Sequence, residues 1–385
     1  MTVRIFDTDH HITPTKDFWT SRMGKKYGEM APHVVDLPNG SEAWSFEGGA
    51  VLHLIGLENV GGNNPKNSSW KFRYENTSPS FYDPKERIKS MDVDGIDVAL
   101  FFPSVAGHTS AIQDDDLYRE CVRVYNDAAW DWAQAGDPKR MFPVAMMPNR
   151  DIEWAMDELK RVAKKGFIHY QFNGAPSGNE TISQADDPFW ATVQETGLVL
   201  TMHGSGGSGK KRHPVGTVHK PRPPADTGVP PVRDQEMIAA MRAAGLGAQN
   251  GLGQILMNGV LERFPNLKVS LVETSAGWLP GYLEQLDLVY QRERWTSGND
   301  HLKMLPSEYA KKVLISVDRE LQGIKYRYQI GVDNLTFGSD YPHIGNFWPH
   351  TRFYVDLLFN GVPEDEKEKI LWSNAAKFYG VASPN

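Results

Sequence analysis

Eight short runs rich in β-branched and aromatic residues alternate with helix-periodic segments along the chain, and this alternation restricts the fold more than any other feature. The runs cover residues 3–9, 96–102, 141–147, 166–172, 198–203, 267–273, 313–317 and 335–339. Strands that alternate with helices pair in parallel, and eight such units close into a barrel. The sequence therefore predicts an α/β fold, a (β/α)8 TIM barrel.

The segments between the runs have the apolar spacing of amphipathic helices. In residues 151–165, apolar side chains recur every three or four positions and so fall on one face of a helix. Asp151 comes at the start of this segment, where its carboxylate can accept hydrogen bonds from the first free backbone N–H groups. We therefore expect a helix that begins after Asp151 and packs against the strands.

Two segments do not fit the alternation. Residues 10–85, a long insertion after the first strand, contain clusters of turn-forming residues. Residues 205–235 follow the fifth predicted strand and are rich in glycine and proline. Because a single barrel runs to about 250 residues and beyond, we interpret the 385 residues as one decorated barrel domain, 1–385, with a lid formed by both segments.

The second of these segments, 205–235, is basic. It carries six lysine and arginine residues opposed by two aspartates, although the whole chain has a net charge of −7. A long charged loop directly after a barrel strand is typical of a substrate-binding loop. We expect it to bind an anionic group, and the predicted substrate-binding residues are Lys210, Lys211, Arg212, His219 and Arg233.

A GxGxxG pattern opens the same loop at residues 204–209 and is followed by Lys210, as in loops that bind dinucleotides or phosphates. Such loops lead into a helix whose N-terminus faces the phosphates, whereas this one runs into prolines at positions 214, 221, 223 and 224. Lys211 also stands where a phosphate loop has the serine or threonine that binds magnesium. The context therefore argues against nucleotide binding here.

The composition excludes several classes of site and partner. A single cysteine, Cys121, rules out an intramolecular disulfide and a thiolate cluster, so a metal site has to use the 12 histidines together with aspartate and glutamate. The negative net charge argues against a nucleic-acid partner. No apolar stretch approaches the roughly 18 residues that span a membrane, and Asp7 and Asp9 interrupt any signal sequence. We expect a cytoplasmic protein without a membrane partner.

Polar side chains stand at the carboxyl ends of four predicted strands, which in a barrel meet at one mouth. Asp9 and His11 lie two residues apart at the end of the first strand and so can point to the same side, while His10 points away. The other three strand ends supply His203, Glu273 and Asp340, the last followed by His343. Two imidazoles and up to three carboxylates at one mouth predict a site for one or two divalent ions.

Five motifs follow one another along the chain: FDTDHHITP at 6–14, TMH at 201–203, FPNLKVSLVE at 264–273, GWLP at 277–280 and GSDYPH at 338–343. In these motifs the chain resembles the amidohydrolase-related family, a branch of the amidohydrolase superfamily that includes aminocarboxymuconate semialdehyde decarboxylase, aromatic acid decarboxylases and several hydrolases. The resemblance covers nearly the whole chain, including YDP at 82–84 and DGID at 94–97. It implies a homodimer and places Asp9, His11, His203 and Asp340 at metal-ligand positions.

The sequence departs from the decarboxylases of that family at two positions. Asp9 stands where they often have the first histidine of an HxH motif, and Glu273 with Thr274 stands where they have a histidine on strand six. We interpret Glu273 as a fifth metal ligand, with orientation of a ligand histidine as the alternative. Three carboxylates suit two ions, or one harder metal such as manganese or iron, while zinc stays possible.

The departures lead us to predict a metal-dependent hydrolase that attacks an anionic acyl substrate with metal-activated water. The substrate would be an acyl thioester, or a ring-fission product whose C–C bond is cleaved. Asp340 would accept the proton of the water, and His343 or His169 would protonate the leaving group. The alternative is a metal-dependent non-oxidative decarboxylase of an aromatic or unsaturated carboxylic acid, in which Asp340 delivers a proton to carbon. A protein that holds a metal without turnover would need a closed coordination sphere.

Overall fold

Within the described residues, the fold contains twelve strands that belong to two sheets. The computed structural model describes residues 3–38, 40–55, 73–204, 218–219, 246–296, 300–343 and 345–384. In chain order the strands are β1 Phe6–Ile12, β2 His33–Asp36, β3 Glu42–Phe46, β4 Val51–Leu54, β5 Val98–Pro103, β6 Met141–Pro143, β7 His169–Gln171, β8 Val199–His203, β9 Val218–His219, β10 Val269–Val272, β11 Val313–Val317 and β12 Leu335–Phe337.

Eight of these strands form the barrel. Their order is β6-β5-β1-β12-β11-β10-β8-β7, and every neighbouring pair is parallel. The two ends of this series meet at Ala145, whose N–H donates to the His169 carbonyl at 3.2 Å and whose carbonyl accepts from the Gln171 N–H at 2.8 Å. These bonds close the sheet, and the predicted (β/α)8 barrel is confirmed.

The first strand lies further along the chain than predicted, at residues 6–12 instead of 3–9. The buried Asp7 carboxylate accepts hydrogen bonds from the backbone N–H groups of Asp9 and Ser339, both at 3.0 Å. The pairing of β1 with β5 shifts between Asp7 and His10. Because Asp7 satisfies backbone donors at this irregularity, the strand continues through the polar residues that the sequence places after its end.

Helices cover the outside of the barrel. Asp151 caps the predicted helix by accepting from the Trp154 N–H at 3.0 Å. The helices span Thr20–Met23, Pro84–Asp94, Asp115–Ala135, Ile152–Lys165, Asp187–Thr196, Leu246–Met257, Val260–Arg263, Leu279–Glu293, Pro306–Ala310, Leu321–Lys325, Arg327–Ile330, Thr351–Leu358, Glu364–Glu368 and Asn374–Tyr379. Among the helices in the described ranges, none combines the length and apolarity needed to cross a membrane.

The segment after β1 has an aromatic core of its own. Trp19, Trp44 and Phe46 are fully or almost fully buried, and they pack in one cluster with Tyr118 and Tyr125 from the helix Asp115–Ala135. The Trp19 and Trp44 rings meet edge to face with centroids 5.4 Å apart. Burial of such large rings contributes most of the stability of a small core, so this segment is anchored firmly to one side of the barrel.

The second sheet joins the two segments that interrupt the alternation. Its strand order is β2-β3-β4-β9, and β9 pairs in parallel with β4, which sets His219 in register with His53. The His53 ring stacks on His108, with centroids 3.9 Å apart, in the segment that follows β5 at the mouth of the barrel. The small sheet therefore lies beside the mouth, and its role as a lid stays a prediction.

Candidate metal centre

Four side chains, from β1, from β8 and from the residue after β10, converge at the carboxyl ends of the barrel strands. Asp9, His11, His203 and Glu273 each offer one ligand atom, and these four atoms lie within 4.8 Å of one another. The His203 Nε2 is 3.1 Å from Asp9 Oδ1 and 3.5 Å from Glu273 Oε2. The His11 Nε2 is 3.4 Å from the same oxygen of Asp9. The chain thus presents two imidazole nitrogens and two carboxylates to one small space.

A second group shares His11 with the first. His11, Asp340 and His343 also offer ligand atoms within 4.8 Å of one another. Asp340 Oδ1 lies 3.4 Å from His11 Nε2 and 2.7 Å from His343 Nδ1. The Asp340 N–H donates to the Asp9 carbonyl at 2.9 Å, which fixes the loop after β12 against β1. Because one histidine belongs to both groups, all six predicted residues of the mouth form one continuous centre.

The donor set fits a divalent ion. Within the described residues, the buried Asp9 Oδ2 and His11 Nε2 have no hydrogen-bond partner. Buried polar atoms without partners are costly in a finished core, and they are the atoms a bound cation would satisfy. Imidazole and carboxylate together suit zinc, manganese or iron. The centre therefore has the ligand chemistry of the divalent metal site that the sequence predicts.

The charges in the centre are strongly coupled. Burial alone would raise the pKa of Asp9, but His203 and His11 hold that pKa well below its usual value. Burial alone would lower the pKa of His11, but Asp340 and Asp9 raise it to about 10. Contacts with His11 and His343 likewise lower the pKa of Asp340 against the effect of burial. In the metal-free protein the site is thus held together by a protonated His11 between two ionised carboxylates.

The pKa of Glu273 shifts in the opposite direction from those of Asp9 and Asp340. Burial and the negative charges of Asp340 and Asp9 raise its pKa to about 7, although His203 acts in the opposite direction. A carboxylate with a pKa near neutrality can exchange a proton at physiological pH. Glu273 is therefore suited either to ligate a cation, which would ionise it, or to carry a proton.

The backbone of the centre is strained at three residues. Glu273, Ser275 and Asp340 have φ values of 53°, 54° and 62°, in the left-handed region that non-glycine residues avoid. Each such residue costs about 1–3 kcal/mol and persists where its surroundings fix it. The Glu273 N–H donates to Ser316 Oγ at 3.2 Å, and that hydroxyl donates to Asp318 Oδ1 at 2.8 Å. The end of β11 therefore holds Glu273 in its strained position.

Three residues of the centre were missed by the sequence reasoning. Asp318 is buried at the end of β11, and burial together with Asp9 and Glu320 raises its pKa well above the usual value. Arg319 follows it, and Ser104, after β5, forms a hydrogen bond of 3.2 Å with His343 Nε2. Asp318 obeys the strand-end rule that identified the other ligands, so the same signal was present in the sequence. Ser104 carried no such signal because serine is common in loops.

His169, predicted as an alternative proton donor, is not brought to either group. Its ring is fully buried in the barrel interior, with Nε2 3.4 Å from the Phe142 carbonyl and its centroid 5.6 Å from Tyr379. Burial lowers the pKa of His169 to about 3, so the ring is neutral. His10 turns away from the centre as the alternation predicts, with its Nε2 3.0 Å from Asp7 Oδ2. Of the residues predicted to transfer protons, Asp340 and His343 therefore lie in the centre and His169 does not.

The predicted substrate-binding residues of the basic loop stay predictions. Lys210, Lys211, Arg212 and Arg233 lie outside the described residues. The backbone of His219 pairs with β4 beside the mouth.

Gly338 is the point at which the centre tolerates no side chain. A Cβ at this residue would lie 2.8 Å from Asp9 Cβ and 2.9 Å from Asp318 Oδ1, so one of these buried groups would have to move. We expect Gly338→Ala to weaken metal binding about tenfold or more, because displaced neighbours of a ligand reduce metal affinity on that scale. Competition with a chelator measures the effect. Gly281→Ala, at a residue with open space around its Cβ position, is the control, and unchanged affinity in Gly338→Ala would contradict the geometry.

Solved structures share the fold over almost the whole chain. An amidohydrolase from Mycobacterium avium subsp. paratuberculosis K-10 superimposes with a TM-score of 0.74 and 17% identity, covering 99% of this chain and 100% of that one. The 5-carboxyvanillate decarboxylase from Sphingomonas paucimobilis gives a TM-score of 0.68 and 19% identity, with 99% and 100% covered. The dihydroxybenzoic acid decarboxylase from Polaromonas sp. JS666, which holds manganese and the inhibitor 2-nitroresorcinol, gives 0.62 and 18%, with 98% and 97% covered.

The search of curated proteins finds no match for the chain. A family model described as amidohydrolase matches residues 6–381, which include every residue of the centre. This match spans nearly the full length and agrees with the barrel and with the motifs at its strand ends. The chain therefore belongs to the amidohydrolase family.

Proposed function

We propose that this protein is a metal-dependent, non-oxidative decarboxylase of an aromatic carboxylic acid. The observation that carries the proposal is the junction of two groups at the mouth, a buried or half-buried set of possible metal-ligand atoms and an Asp340–His343 pair only 2.7 Å apart. The first can hold a cation, and the second can hold a proton beside it. Several proteins with the same fold at 16–19% identity act on aromatic acids, which favours decarboxylation over the predicted hydrolysis.

Asp9, His11, His203, Glu273 and Asp340 would hold the ion. When bound, the ion would supply a positive charge that orients the substrate carboxylate and an adjacent oxygen and stabilises the negative charge that develops on the substrate. The protein supplies the rigid frame, since the ligands stand on four different strands or just after them and three of the backbone positions at this mouth are locked in strained conformations.

The proton would come from the Asp340–His343 pair. His343 Nδ1 contacts Asp340 Oδ1, while its Nε2 shares a hydrogen bond with Ser104, so both ring nitrogens are fixed in direction. As the bond between the ring carbon and the carboxylate breaks, its electron pair stays on the carbon and carbon dioxide leaves. His343 gives up one proton, and Asp340 passes it to that carbon. One carboxylate and one proton thus give one arene and one carbon dioxide.

Hydrolysis is the second candidate, because one observation favours it. The pKa of Glu273, raised to about 7, suits a general base that takes a proton from water near neutral pH. The same centre would then act on an anionic acyl substrate instead of an aryl carboxylate.

A substrate screen separates the two reactions. We expect the manganese-loaded protein to release carbon dioxide from one or more hydroxylated benzoates, and to release no thiol from acyl thioesters. The screen measures both products in parallel on the same preparation. Thiol release without carbon dioxide would replace the proposal with hydrolysis, and neither product from a fully metal-loaded sample would count against both.

A further inference from the structure

We infer that Arg319 is a carboxylate-binding residue at the mouth of the barrel, where its guanidinium binds the carboxylate of an aromatic acid. The inference rests on the proposed function for the class of ligand. Arg319 lies outside the metal-ligand set. It would give the described part of the protein an anion-binding site, in addition to the one that the sequence predicts in the basic loop.

The position of Arg319 is fixed by its neighbours in the chain. Asp318 on one side is buried and accepts from the Ser316 hydroxyl. Glu320 on the other side accepts from the Ala276 N–H at 2.6 Å and from the Asp318 N–H at 3.2 Å. The backbone of Arg319 is thus held between two anchored carboxylates, while its own side chain is 39% exposed. The backbone at Arg319 therefore loses little freedom when the side chain binds a ligand.

The Arg319 guanidinium points toward the metal centre, and its N–H groups are available to donate hydrogen bonds to a ligand. Its Nη2 lies 3.7 Å from Asp340 Oδ2, which is an ion contact but too long for a hydrogen bond. Within the described parts of the chain, no carboxylate or carbonyl accepts a side-chain hydrogen bond from Arg319. Its planar fork of N–H groups matches the two oxygens of a carboxylate.

The loop after β12 leaves room for this side chain. Gly345 has a φ of 99°, and a Cβ there would lie within 2.4 Å of Arg319 Nη1. Any other residue at 345 would therefore push the guanidinium from its place. Gly345 thus lies next to Nη1 of the guanidinium, and Asp340 lies next to its Nη2.

The charges around the mouth favour a role for the Arg319 guanidinium in binding an anion. Asp9 and Asp340, whose pKa values are lowered, bring negative charge to the centre, and an anionic substrate would meet that charge on entry. Among the described lysine and arginine residues, Arg319 is the one with an ion contact to a residue of the centre. A carboxylate that approaches this mouth therefore finds an attractive partner at Arg319 in addition to the bound ion.

The test compares salicylate with salicylamide, two ligands that share a ring and an ortho hydroxyl and differ in the charge of one group. Their affinities are measured by calorimetry for the manganese-saturated wild type, Arg319→Gln and Arg319→Lys, with metal occupancy determined for each. We expect Arg319→Gln to bind salicylate about 10- to 100-fold more weakly, as for loss of charge-assisted hydrogen bonds, and to bind salicylamide as the wild type does. Arg319→Lys should recover part of the loss because it keeps the charge without the fork.

Arg22→Gln is the matched control, since Arg22 is also 39% exposed and ion-paired, with Asp131 at 3.0 Å, far from the centre. Equal salicylate affinity in Arg319→Gln and wild type would overturn the inference, and so would a parallel loss of both ligands or a wild type with no preference for salicylate. These are binding measurements, so absence of carbon dioxide release in the wild type would refute the proposed function without altering the result for Arg319.

Discussion

Replacement of Asp340 by alanine is expected to lower kcat/KM about a thousandfold or more, the range associated with loss of a group that transfers a proton in the transition state. Asp340 contacts His11 at 3.4 Å, His343 at 2.7 Å and Arg319 at 3.7 Å, so it joins the metal-ligand set to the proton-holding pair. No other described residue belongs both to the metal-ligand set and to the proton-holding pair. The measurement is steady-state turnover of an active substrate, with the metal content of each sample determined.

Two further variants make this result specific. Asp340→Asn keeps the size of the side chain and removes its charge, and we expect it to be nearly as inactive as the alanine variant. Asp333→Ala removes an aspartate that is 75% exposed and ion-paired with Lys369, and we expect normal turnover. Substantial activity in metal-loaded Asp340→Asn would mean that another group moves the proton.

Binding of the metal ion is expected to release protons, so metal affinity should rise steeply with pH. His11 has its pKa raised to about 10 in the metal-free centre and must lose its proton to become a ligand. Between about pH 7 and pH 9 this one proton gives about a tenfold gain in affinity per pH unit. Below about pH 7 the slope should become steeper, because Glu273, with its pKa raised to about 7, then also has to ionise.

Chelator competition at several pH values measures this slope after correction for the protonation of the chelator. His11→Asn should bind metal more weakly and lose the tenfold dependence above about pH 7. An affinity that does not change with pH in the wild type would contradict the charge arrangement of the centre.

The same pKa shift affects the stability of the metal-free protein in the opposite direction. Because the folded-state pKa of His11, about 10, lies above the ordinary value of 6.5, protonated His11 stabilises the folded state. This contribution is fully present below about pH 6.5 and is lost as the pH rises toward 10. Alkaline pH therefore weakens the empty centre and strengthens the metal-bound one.

The barrel was predictable from sequence because the alternation of strand and helix patterns is a local property of the chain. Each of the eight predicted strands corresponds to a barrel strand, and only their ends differ, since strand ends depend on side-chain hydrogen bonds such as those of Asp7. The convergence of Asp9, His11, His203, Glu273 and Asp340 followed from the same topology. His11, His203, Glu273 and Asp340 lie near or just after strand ends, and Asp9 lies two residues before His11 on the same strand. The alternation and order of the strands were therefore enough to predict most of the residues that meet at the site.

The sequence did not predict two kinds of feature. These are the height of a side chain along the barrel axis and contacts between residues far apart in the chain. Alternation allowed the His169 side chain to point inward, but it gives no height along the barrel axis, and this ring lies among buried side chains away from the ligands. The Ser104–His343 hydrogen bond joins residues 239 positions apart. The parallel pairing of β9 with β4 also joins segments far apart in the chain. Such contacts are set by how loops pack, which periodicity does not encode.

The most direct test of metal-dependent decarboxylation follows the carbon atom that loses its carboxylate. An active hydroxybenzoate, labelled with ¹³C in the carboxylate, is turned over in D₂O by the manganese-loaded protein, by the metal-free protein and by the reconstituted protein. We expect labelled carbon dioxide in equal amount to an arene that carries one deuterium at the former carboxylate position. Both products should disappear when the metal is removed and return when it is restored. Undiminished carbon dioxide release from the metal-free protein would contradict metal-dependent decarboxylation.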